Sequence, residues 1–290
     1  MANLGTQVKK YVSNNEFIAF LACAFFFANM QGMVGNFRQK YLVDVLGLAN
    51  ESVSAINFIC NAAGFALPFF YAMLADRAPK PGKAKFKPMV LMAAVPAGIF
   101  SVLMFIAPSA LSELSVIWMI AYQCTVTLLY NASIYFAGTF NYIAYVISPE
   151  HSERDRVLSF RGISSAIGNS APLVVVMAIG LLKKPGIISG GEAMTYLLSS
   201  VLCALASTLT LLFAMRVLKE RIAYSSEKEN PLLGFRDVLR NRHALLVLLS
   251  EFIKGFRAIA SYMGVFLAAA LLGDASKFLL LGLPTGIGTF

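Results

Sequence analysis

The chain has 290 residues, of which 58% are hydrophobic and only 13% charged, and its net charge at pH 7 is +9. A soluble domain carries about 25% charged residues, so this chain has too little polar surface to face water on all sides. Its basic residues cluster in short segments between apolar runs, which indicates membrane topology rather than a phosphate-binding surface. We therefore predict an all-α integral membrane protein that sits in a lipid bilayer and has no nucleic-acid partner.

The cysteines do not suggest a metal site or a disulfide framework. All four lie inside apolar runs, and no two have the CxxC spacing that is typical of metal ligands. Small core residues are therefore the expected role of these side chains, and we predict no metal site and no cofactor. The four cysteines are Cys23, Cys60, Cys124 and Cys203.

The first apolar run covers residues 17–37 and is followed by three polar residues, 38–40, after which apolar residues resume. We predict one long helix from about residue 16 to residue 46, with its second half facing a cavity or water. In the alternative, the helix ends near Asn36 and an interfacial segment follows.

Two further apolar runs, residues 52–75 and 88–112, flank a short basic loop. The runs hold 24 and 25 residues without a charge, and each can cross a hydrocarbon core of about 30 Å. Short loops rich in Lys and Arg stay in the cytoplasm, so this loop also places the N-terminus there. The loop contains Asp76, Arg77, Lys80, Lys83, Lys85 and Lys87.

The next apolar run, residues 114–149, has 36 residues without a charge. Two helices in this run would place Arg154, Arg156 and Arg161 on the outer side, against the positive-inside tendency, so we predict one long, tilted helix. Later spans are predicted at residues 161–182, 193–215 and 243–272, and an eighth begins at residue 278.

These spans divide the chain into three parts. We predict a six-helix transmembrane bundle over residues 1–215, a basic cytoplasmic linker over residues 216–242 and an incomplete second bundle over residues 243–290. The last predicted span has only 13 residues, too few to cross a membrane. We therefore expect the chain to be a fragment of a longer protein.

Three segments resemble motifs of one transporter family. They are ADR…GKAKFKP at residues 75–88, SPEHSERDRVLSFR at residues 148–161 and YLVDVLGL at residues 41–48. In order and at these separations they are similar to motifs of the glycoside–pentoside–hexuronide:cation symporters, the group of the melibiose carrier. Six spans, a basic linker and a second set of spans are also the plan of the major facilitator superfamily, to which that family belongs.

The resemblance implies a secondary transporter of the bacterial inner membrane that works by alternating access between two bundles. Its partners would be a small-molecule solute, either a sugar or a glycoside or hexuronide, and a coupling cation, H⁺ or Na⁺. We expect such a protein to act as a monomer and not as an enzyme.

The acidic residues that the family uses for its cation are missing here. At the corresponding part of span two the chain has Asn57 and Asn61, whose amide oxygens supply dipoles but no charge. A Na⁺ site needs several hard oxygen ligands, usually including a carboxylate. We therefore expect that any cation site at these positions favours H⁺ over Na⁺, with uniport or exchange as alternatives.

Polar side chains recur at three- and four-residue steps over residues 123–141, and hence on one helix face. Amides bond sugar hydroxyls and tyrosine rings cover apolar ring faces, so this face predicts a solute-binding cavity. Hydrogen bonding between helices is the alternative. Together with residues of spans one and seven, the predicted substrate-binding residues are Asn29, Asn36, Arg38, Gln123, Tyr130, Asn131, Asn141, Lys254 and Arg257.

Charged residues inside the predicted spans need a partner or a cavity. Glu251 and Lys254 are three residues apart and are predicted to neutralise each other as a coupling or charge pair. Arg257 with Arg38 or Lys40 then leaves surplus positive charge, which suits bidentate capture of a carboxylate. In the alternative, the pair in span seven is structural and residues 38 and 40 lie at the outer interface.

A second charged set lies at the loop ends and predicts a cytoplasmic gate rather than a solute site. It comprises Asp76, Arg77, Arg154 and Arg161.

Two other functions remain open at this point. A facilitator or exchanger for small organic anions belongs to the same class of protein. A membrane enzyme, a lipid-handling protein or a non-transporting sensor belongs to another, and the scattered histidines and cysteines give an enzyme little support.

Overall fold

The computed structural model describes residues 10–75, 84–106, 115–183, 191–222 and 240–250, together with residues 253, 270 and 271. These ranges contain helices and no strand, which confirms the all-α prediction for them. The helices are α1 (Asn14–Lys40), which continues into a π-helical turn (Tyr41–Val45), α2 (Asn50–Ala75), α3 (Phe86–Leu103), α4 (Val116–Ala137), α5 (Phe140–Val146), α6 (His151–Lys183) and α7 (Glu192–Val217). Residues 242–250 are also helical.

The predicted long first helix is confirmed, because α1 and its π-helical turn run unbroken from residue 14 to residue 45. The alternative end near Asn36 is wrong. Ser13 starts the helix with a capping box, in which the N–H of Glu16 donates to the Ser13 hydroxyl and the N–H of Ser13 donates to the Glu16 carboxylate. Gly47 ends it at a φ of +63°, a conformation that favours glycine.

The apolar run at residues 114–149 crosses the bundle once, as predicted, but the helix is interrupted after α4. At the break, the Thr139 hydroxyl donates to the carbonyl of Phe136 at 2.7 Å and the Asn141 amide donates to the carbonyl of Gly138 at 2.9 Å. These side chains compete with the backbone for the carbonyls, which interrupts helices. With seven residues, α5 is too short to cross a membrane.

The fifth span begins earlier than predicted. The sequence suggested a start near Arg161, whereas α6 begins at His151. An apolar run marks only the part of a helix that can lie in hydrocarbon, so the charged first turns were missed. The second, third and sixth spans correspond to α2, α3 and α7, with ends shifted by a few residues. Most of the seventh span and all of the eighth lie outside the described residues, and the division into three parts stays a prediction.

Helix α1 occupies the centre of the packing, with its main contacts to α6 and α7, while α3 packs on α4 and α7, and α2 packs on α4. Phe20 and Phe27 of α1 meet Phe140 of α5 with ring centroids 5.8 and 5.1 Å apart. At the far end of α1, Tyr41 packs on Phe105 after α3 at 5.3 Å. These aromatic contacts tie α1 to its neighbours at both ends.

Two glycines allow α1 and α6 to cross closely. A methyl group added at Gly32 would collide with the backbone carbonyl of Asn169, and one added at Gly168 would collide with the backbone carbonyl of Phe25. Small residues are typical of helix crossings in membrane proteins. Lipid provides no hydrophobic driving force between helices, so close packing of their backbones stabilises the crossing. This crossing places Asn36 within reach of α6.

Four of the described helical segments are long and apolar enough to cross a membrane: residues 14–45, 86–103, 151–182 and 192–217. Helices α2 and α4 have 26 and 22 residues. The outer surface of the bundle exposes large apolar side chains, such as Met92 of α3 (78% exposed) and Phe213 of α7 (67%). Such a surface fits hydrocarbon better than water.

One end of the bundle, where α1, α3 and α6 begin and α5 and α7 end, is called here the basic end. A segment that follows α7, residues 218–222, crosses this end and is called here the strap. Its Glu220 carboxylate accepts the backbone N–H groups of Lys85, Phe86 and Lys87 at 2.8, 3.0 and 2.9 Å. These N–H groups stand at the start of α3, where they have no partner within the helix. The strap thus caps α3 with a negative charge at its positive end.

The next residue of the strap, Arg221, joins two other helices. Its guanidinium forms an ion pair with Glu16 of α1 at 2.9 Å and donates to the carbonyl of Ile147, just after α5, also at 2.9 Å. Its backbone N–H donates to the carbonyl of Val146 at 2.8 Å. The strap therefore fixes the starts of α1 and α3 and the end of α5 relative to α7.

Replacing Gly168 by alanine tests the helix crossing. We expect Gly168→Ala to lower the free energy of unfolding by about 1–3 kcal/mol, because the added methyl overpacks the contact with Phe25. The measurement is the thermal unfolding midpoint in detergent. The control is Gly162→Ala in the same helix, where a methyl meets no atom within 4 Å and helix propensity improves by up to about 1 kcal/mol. Equal effects of the two substitutions would contradict the close crossing.

Replacing Glu220 by glutamine tests the strap. Glutamine lacks the charge and has one oxygen instead of two, so the start of α3 loses hydrogen bonds that a charged group strengthens. We expect a loss of about 1–3 kcal/mol in the free energy of unfolding. Glu192→Gln serves as the control, because Glu192 is an exposed acid in the first turn of its own helix α7. If both variants lose the same stability, the strap does not hold α3.

Candidate functional site

Arg38 links three helices in the interior of the bundle. From α1 its Nη1 donates to Oδ1 of Asn57 on α2 at 3.2 Å, and its Nη2 donates to Oγ1 of Thr127 on α4 at 2.8 Å. Helical side chains lean toward the start of their helix, so Arg38 reaches back from the far end of α1. Thr127 lies eleven residues after Val116, the first residue of α4, or about 17 Å along the helix. Thr127 is thus near the middle of the 22-residue helix α4.

The acceptors at Nη1 and Nη2 of Arg38 are an amide oxygen and a hydroxyl oxygen. The hydroxyl of Thr127 donates to the backbone carbonyl of Gln123 at 2.5 Å. Its proton is therefore engaged, and its oxygen is turned toward Arg38 as an acceptor. Hydrogen bonds from a charged donor are the stronger kind, so this arrangement holds the guanidinium firmly.

Two buried polar atoms on α4 lack a hydrogen-bond partner among the described residues: Oε1 of Gln123 and the hydroxyl of Tyr130. Gln123 is fully buried and Tyr130 is nearly so, while the Gln123 amide donates to the carbonyl of Met104 at 3.4 Å. The two residues are seven apart and lie on one helix face. Because most buried polar atoms in proteins are hydrogen-bonded, such atoms need an explanation.

Two predicted substrate-binding residues of α1 make contacts between helices. The Asn29 amide oxygen accepts from the Cys203 thiol of α7 at 3.4 Å, and the Asn36 amide donates to the carbonyl of Asn169 on α6 at 3.4 Å. The described hydrogen bonds of these two residues thus go to α6 and α7 and not to the partners of Arg38 on α2 and α4. Their part in solute binding stays a prediction.

The remaining polar positions on α2 and α4 differ in burial. Asn131 is half-buried on α4, next to Tyr130, and Asn61 is exposed on α2, one turn beyond Asn57. Asn141 lies near the basic end, where its amide donates to the Gly138 carbonyl at the break between α4 and α5. The predicted polar face of α4 therefore divides into an inner part near Arg38 and a part at the basic end.

Lys40 does not contribute surplus charge beside Arg38, because it forms an ion pair with Asp44 within the π-helical turn. That part of the charge prediction is corrected, since the sequence analysis did not weigh this i, i+4 pair. The signal that could have shown this ion pair is the position of Asp44, four residues after Lys40. Predicted residues outside the described ranges are Glu251, Lys254, Arg257, Asp76 and Arg77.

Two predicted gate residues lie on α6 in the described part of the chain. Arg154 donates to the carbonyl of Tyr145 on α5 at 3.3 Å, and Arg161 is half-buried two turns further along. Their neighbour Glu153 accepts from the Ser148 hydroxyl at 2.6 Å and from the N–H of Tyr11 at 3.0 Å. The basic end is thus held by Glu153, Glu220 and Arg221, which the sequence analysis missed. The gate itself remains a prediction.

Within the described ranges no three His, Cys, Asp or Glu side chains come together as possible metal ligands. The described polar groups of α2 and α4 near Arg38 include the amides of Asn57 and Gln123 and the hydroxyl of Thr127. Such groups bind and orient a polar molecule by hydrogen bonds.

Comparison with known proteins places the chain in a family. The family described as MFS/sugar transport protein matches residues 20–288. A solved structure described as "Structural insights into substrate recognition in proton dependent oligopeptide transporters" has a TM-score of 0.52 at 12% identity, and the match covers 95% of this chain and 53% of that one. At this identity the likeness concerns the fold alone, and the chain spans about half the length of that structure.

No curated protein matches the sequence. The family match covers most of the chain, and the apolar helices have the length and composition of membrane spans. The chain therefore belongs to the MFS/sugar transport proteins of the major facilitator superfamily, a family of multi-pass membrane transporters.

Proposed function

We propose that the chain belongs to a secondary transporter that carries a sugar or glycoside by alternating access, and that a hexuronide, which bears a carboxylate, fits its site best. The observation that carries the proposal is the position of Arg38, whose guanidinium is held by Asn57 of α2 and Thr127 of α4 in the interior of the bundle. The resemblance of three motifs to the melibiose-carrier group supports the solute class. We favour H⁺ over Na⁺ as the coupling ion.

The charge of Arg38 accounts for the preference for an acidic solute. A charge inside a membrane protein is costly and usually faces a partner or a path for solutes. Asn57 and Thr127 fix the orientation of the guanidinium, and a carboxylate that enters the bundle beside it would gain the attraction of its charge. Arginine suits this task because its planar group can bond both oxygens of a carboxylate.

The polar face of α4 accounts for the sugar. Gln123 offers an amide oxygen and Tyr130 a hydroxyl, and each can bond a sugar hydroxyl, which both donates and accepts. The aromatic ring of Tyr130 adds an apolar surface of the kind that covers a sugar ring. Asn131, on the next position of α4, extends this face.

The wider mechanism follows from the two-bundle plan of the superfamily. A second bundle, containing Glu251, Lys254 and Arg257, would close over the solute from the other side. The predicted gate residues, Asp76, Arg77, Arg154 and Arg161, would open and close the transporter toward the cytoplasm. The positive charge of the basic end supports a cytoplasmic position for this end and for the N-terminus, as in a bacterial inner-membrane protein. We propose that the transporter acts as a monomer.

A second candidate is a facilitator or exchanger for small organic anions. It is favoured by the same Arg38 contacts, since a guanidinium binds any carboxylate. The two functions differ at α4, because a small acid has no need of the buried oxygens of Gln123 and Tyr130. A panel of solutes therefore separates them.

Replacing Arg38 by glutamine tests acid recognition. In a K⁺ medium, we expect Arg38→Gln in the full-length protein to reduce uptake of a hexuronide into proteoliposomes about tenfold or more, as for a loss of about 1.4 kcal/mol. Uptake of a neutral glycoside should change much less, because the glutamine amide can still bond Asn57 or Thr127. Arg216→Gln is the control, since Arg216 is exposed at the end of α7. Equal losses for both solutes would show that Arg38 is structural.

Replacing Tyr130 by phenylalanine tests sugar binding. The Tyr130 hydroxyl has no partner in the described part of the bundle, so its removal should leave the unfolding midpoint unchanged. If the hydroxyl bonds the solute, KM for the glycoside should rise about three- to tenfold. Tyr122→Phe is the matched control on α4, because the Tyr122 hydroxyl donates to the Leu103 carbonyl at 2.9 Å. We expect that control to lose stability while KM is kept, and a reversed result would remove Tyr130 from the site.

A further inference from the structure

Helices α3 and α7 pack side by side and leave an apolar groove of about 310 Å³ on the outer surface of the bundle. Its walls include Val95 and Ile99 of α3 and Leu205 of α7, which are 43%, 53% and 54% exposed. Thr208 is the one described lining residue with a polar side chain, and its hydroxyl donates to the carbonyl of Ala94 at 3.3 Å. The groove therefore fits an apolar occupant.

The groove lies at a depth that lipid tails reach. On α3 its lining begins at Val95, eight residues after Lys87, and on α7 it begins at Thr208, nine residues before the end of the helix at Val217. At 1.5 Å per residue these distances are about 12 and 14 Å. One leaflet supplies about 15 Å of hydrocarbon, half of a core of about 30 Å. An acyl chain whose headgroup sits at the basic end can therefore enter the groove.

Two lysines meet at the basic end of the same two helices. Lys87, in the first turn of α3, donates from its ammonium to the carbonyl of Leu218 at 2.8 Å. This bond places its charge beside the backbone of Lys219, which is exposed. An ammonium has three donors, so the bond to Leu218 leaves two of them for another acceptor.

The last turn of α7 and the strap carry more positive than negative charge. Their charged residues are Arg216, Lys219, Glu220 and Arg221. Arg221 is paired with Glu16, and the Glu220 carboxylate accepts three backbone N–H groups. Together with Lys87 of α3, the described side chains at this place have a surplus of positive charge. An anionic headgroup complements it better than a neutral one.

We propose that the seam of α3 and α7 binds one anionic phospholipid, whose phosphate is held by Lys87 and Lys219 and one of whose acyl chains lies in the groove. Basic pockets between membrane helices at the cytoplasmic side are typical binding places of anionic headgroups. Lysine suits this position because its apolar stem can follow the hydrocarbon while its ammonium stays among the headgroups.

The lipid site is separate from the candidate solute site. None of the residues that line the groove belongs to α2 or α4, the helices that hold the Arg38 guanidinium. Lipid binding is therefore expected whichever solute the protein carries. A lipid at this seam would also contact α3, α7 and the strap at once, and should stabilise their packing.

A comparison of two lipids is the direct test. Full-length protein is stripped of lipid in detergent, and binding is followed by native mass spectrometry and by the thermal unfolding midpoint. The probes are dioleoyl phosphatidylglycerol and dioleoyl phosphatidylcholine, which have the same chains and differ in net charge. We expect phosphatidylglycerol to bind about tenfold or more tightly, as for two cations near a membrane surface, and to raise the midpoint. Equal binding of the two lipids overturns the proposal without any variant.

A soluble headgroup separates a lipid from a free phosphate. Glycerol 3-phosphate carries the negative charge but has no acyl chain. At the concentration at which phosphatidylglycerol saturates the protein, we expect it to leave the unfolding midpoint unchanged. If it stabilises the protein as much as the lipid does, the groove takes no part and the lipid site is ruled out.

Removal of the two lysines tests the headgroup contacts. Lys87→Gln with Lys219→Gln should weaken phosphatidylglycerol binding about tenfold or more and leave phosphatidylcholine binding unchanged. Lys10→Gln with Arg156→Gln is the matched control, because it removes two charges at the same end of the bundle beside α1 and α6. Equal losses in the two double variants would show a general attraction by charge and would end the assignment to this seam.

Filling the groove tests the acyl chain. Leu205→Trp should displace the chain, so that phosphatidylglycerol binds more weakly and no longer raises the unfolding midpoint. Leu209→Trp is the matched control, because Leu209 is also exposed on α7 (63%) but does not line the groove. A folded Leu205→Trp variant that binds the lipid like the wild type overturns the proposal. So does a wild-type dimer that Leu205→Trp converts to monomers on size-exclusion chromatography, since a second copy would then cover the groove.

Discussion

A guanidinium among membrane helices is tolerated only where acceptors surround it, and this requirement shapes the interior of the bundle. Arg38 obtains acceptors from α2 and α4, while the other contacts of α1 go to α6 and α7. The long first helix therefore contacts two pairs of helices: it bonds α2 and α4 through Arg38 and packs on α6 and α7. Helix α2 packs mainly on α4. The hydrogen bond from Arg38 to Asn57 gives α2 a polar link to α1 as well. Arg38 is thus an element of the architecture.

The two ends of the bundle are held by different kinds of interaction. At the basic end, charged groups bond backbone groups, as in the contacts of Glu220 with α3 and of Arg221 with α1 and α5. At the opposite end, the described contacts include the aromatic packing of Tyr41, Phe105 and Tyr196. They also include neutral hydrogen bonds, in which the Tyr122 hydroxyl and the Gln123 amide donate to the carbonyls of Leu103 and Met104 at 2.9 and 3.4 Å.

Much of the fold could be predicted because apolar run length sets the span length in a bilayer, and the all-α class follows from it. The superfamily could be predicted because three motifs resemble those of one of its families and the spans follow its plan. The break at Gly138 and the early start of α6 could not be predicted, since both depend on side-chain bonds to carbonyls and on helix outside the apolar runs. In the site, the periodicity of α4 placed Gln123 and Tyr130 on one face correctly. It did not show that Asn57 bonds Arg38, because residues on different helices are paired by packing rather than by spacing. Likewise, nothing in the order of residues 218–222 indicates that Glu220 caps a helix more than 130 residues away.

The strap has a mechanical consequence. Any pull on the chain beyond residue 222 first loads the ion pair of Arg221 with Glu16 and the three hydrogen bonds of Glu220, and only then the last turn of α7. Force is thereby spread over the starts of α1 and α3 and the end of α5, which must move together. A movement of the chain that follows residue 222 is therefore transmitted to the starts of α1 and α3 and to the end of α5 together, and does not simply unwind the last turn of α7.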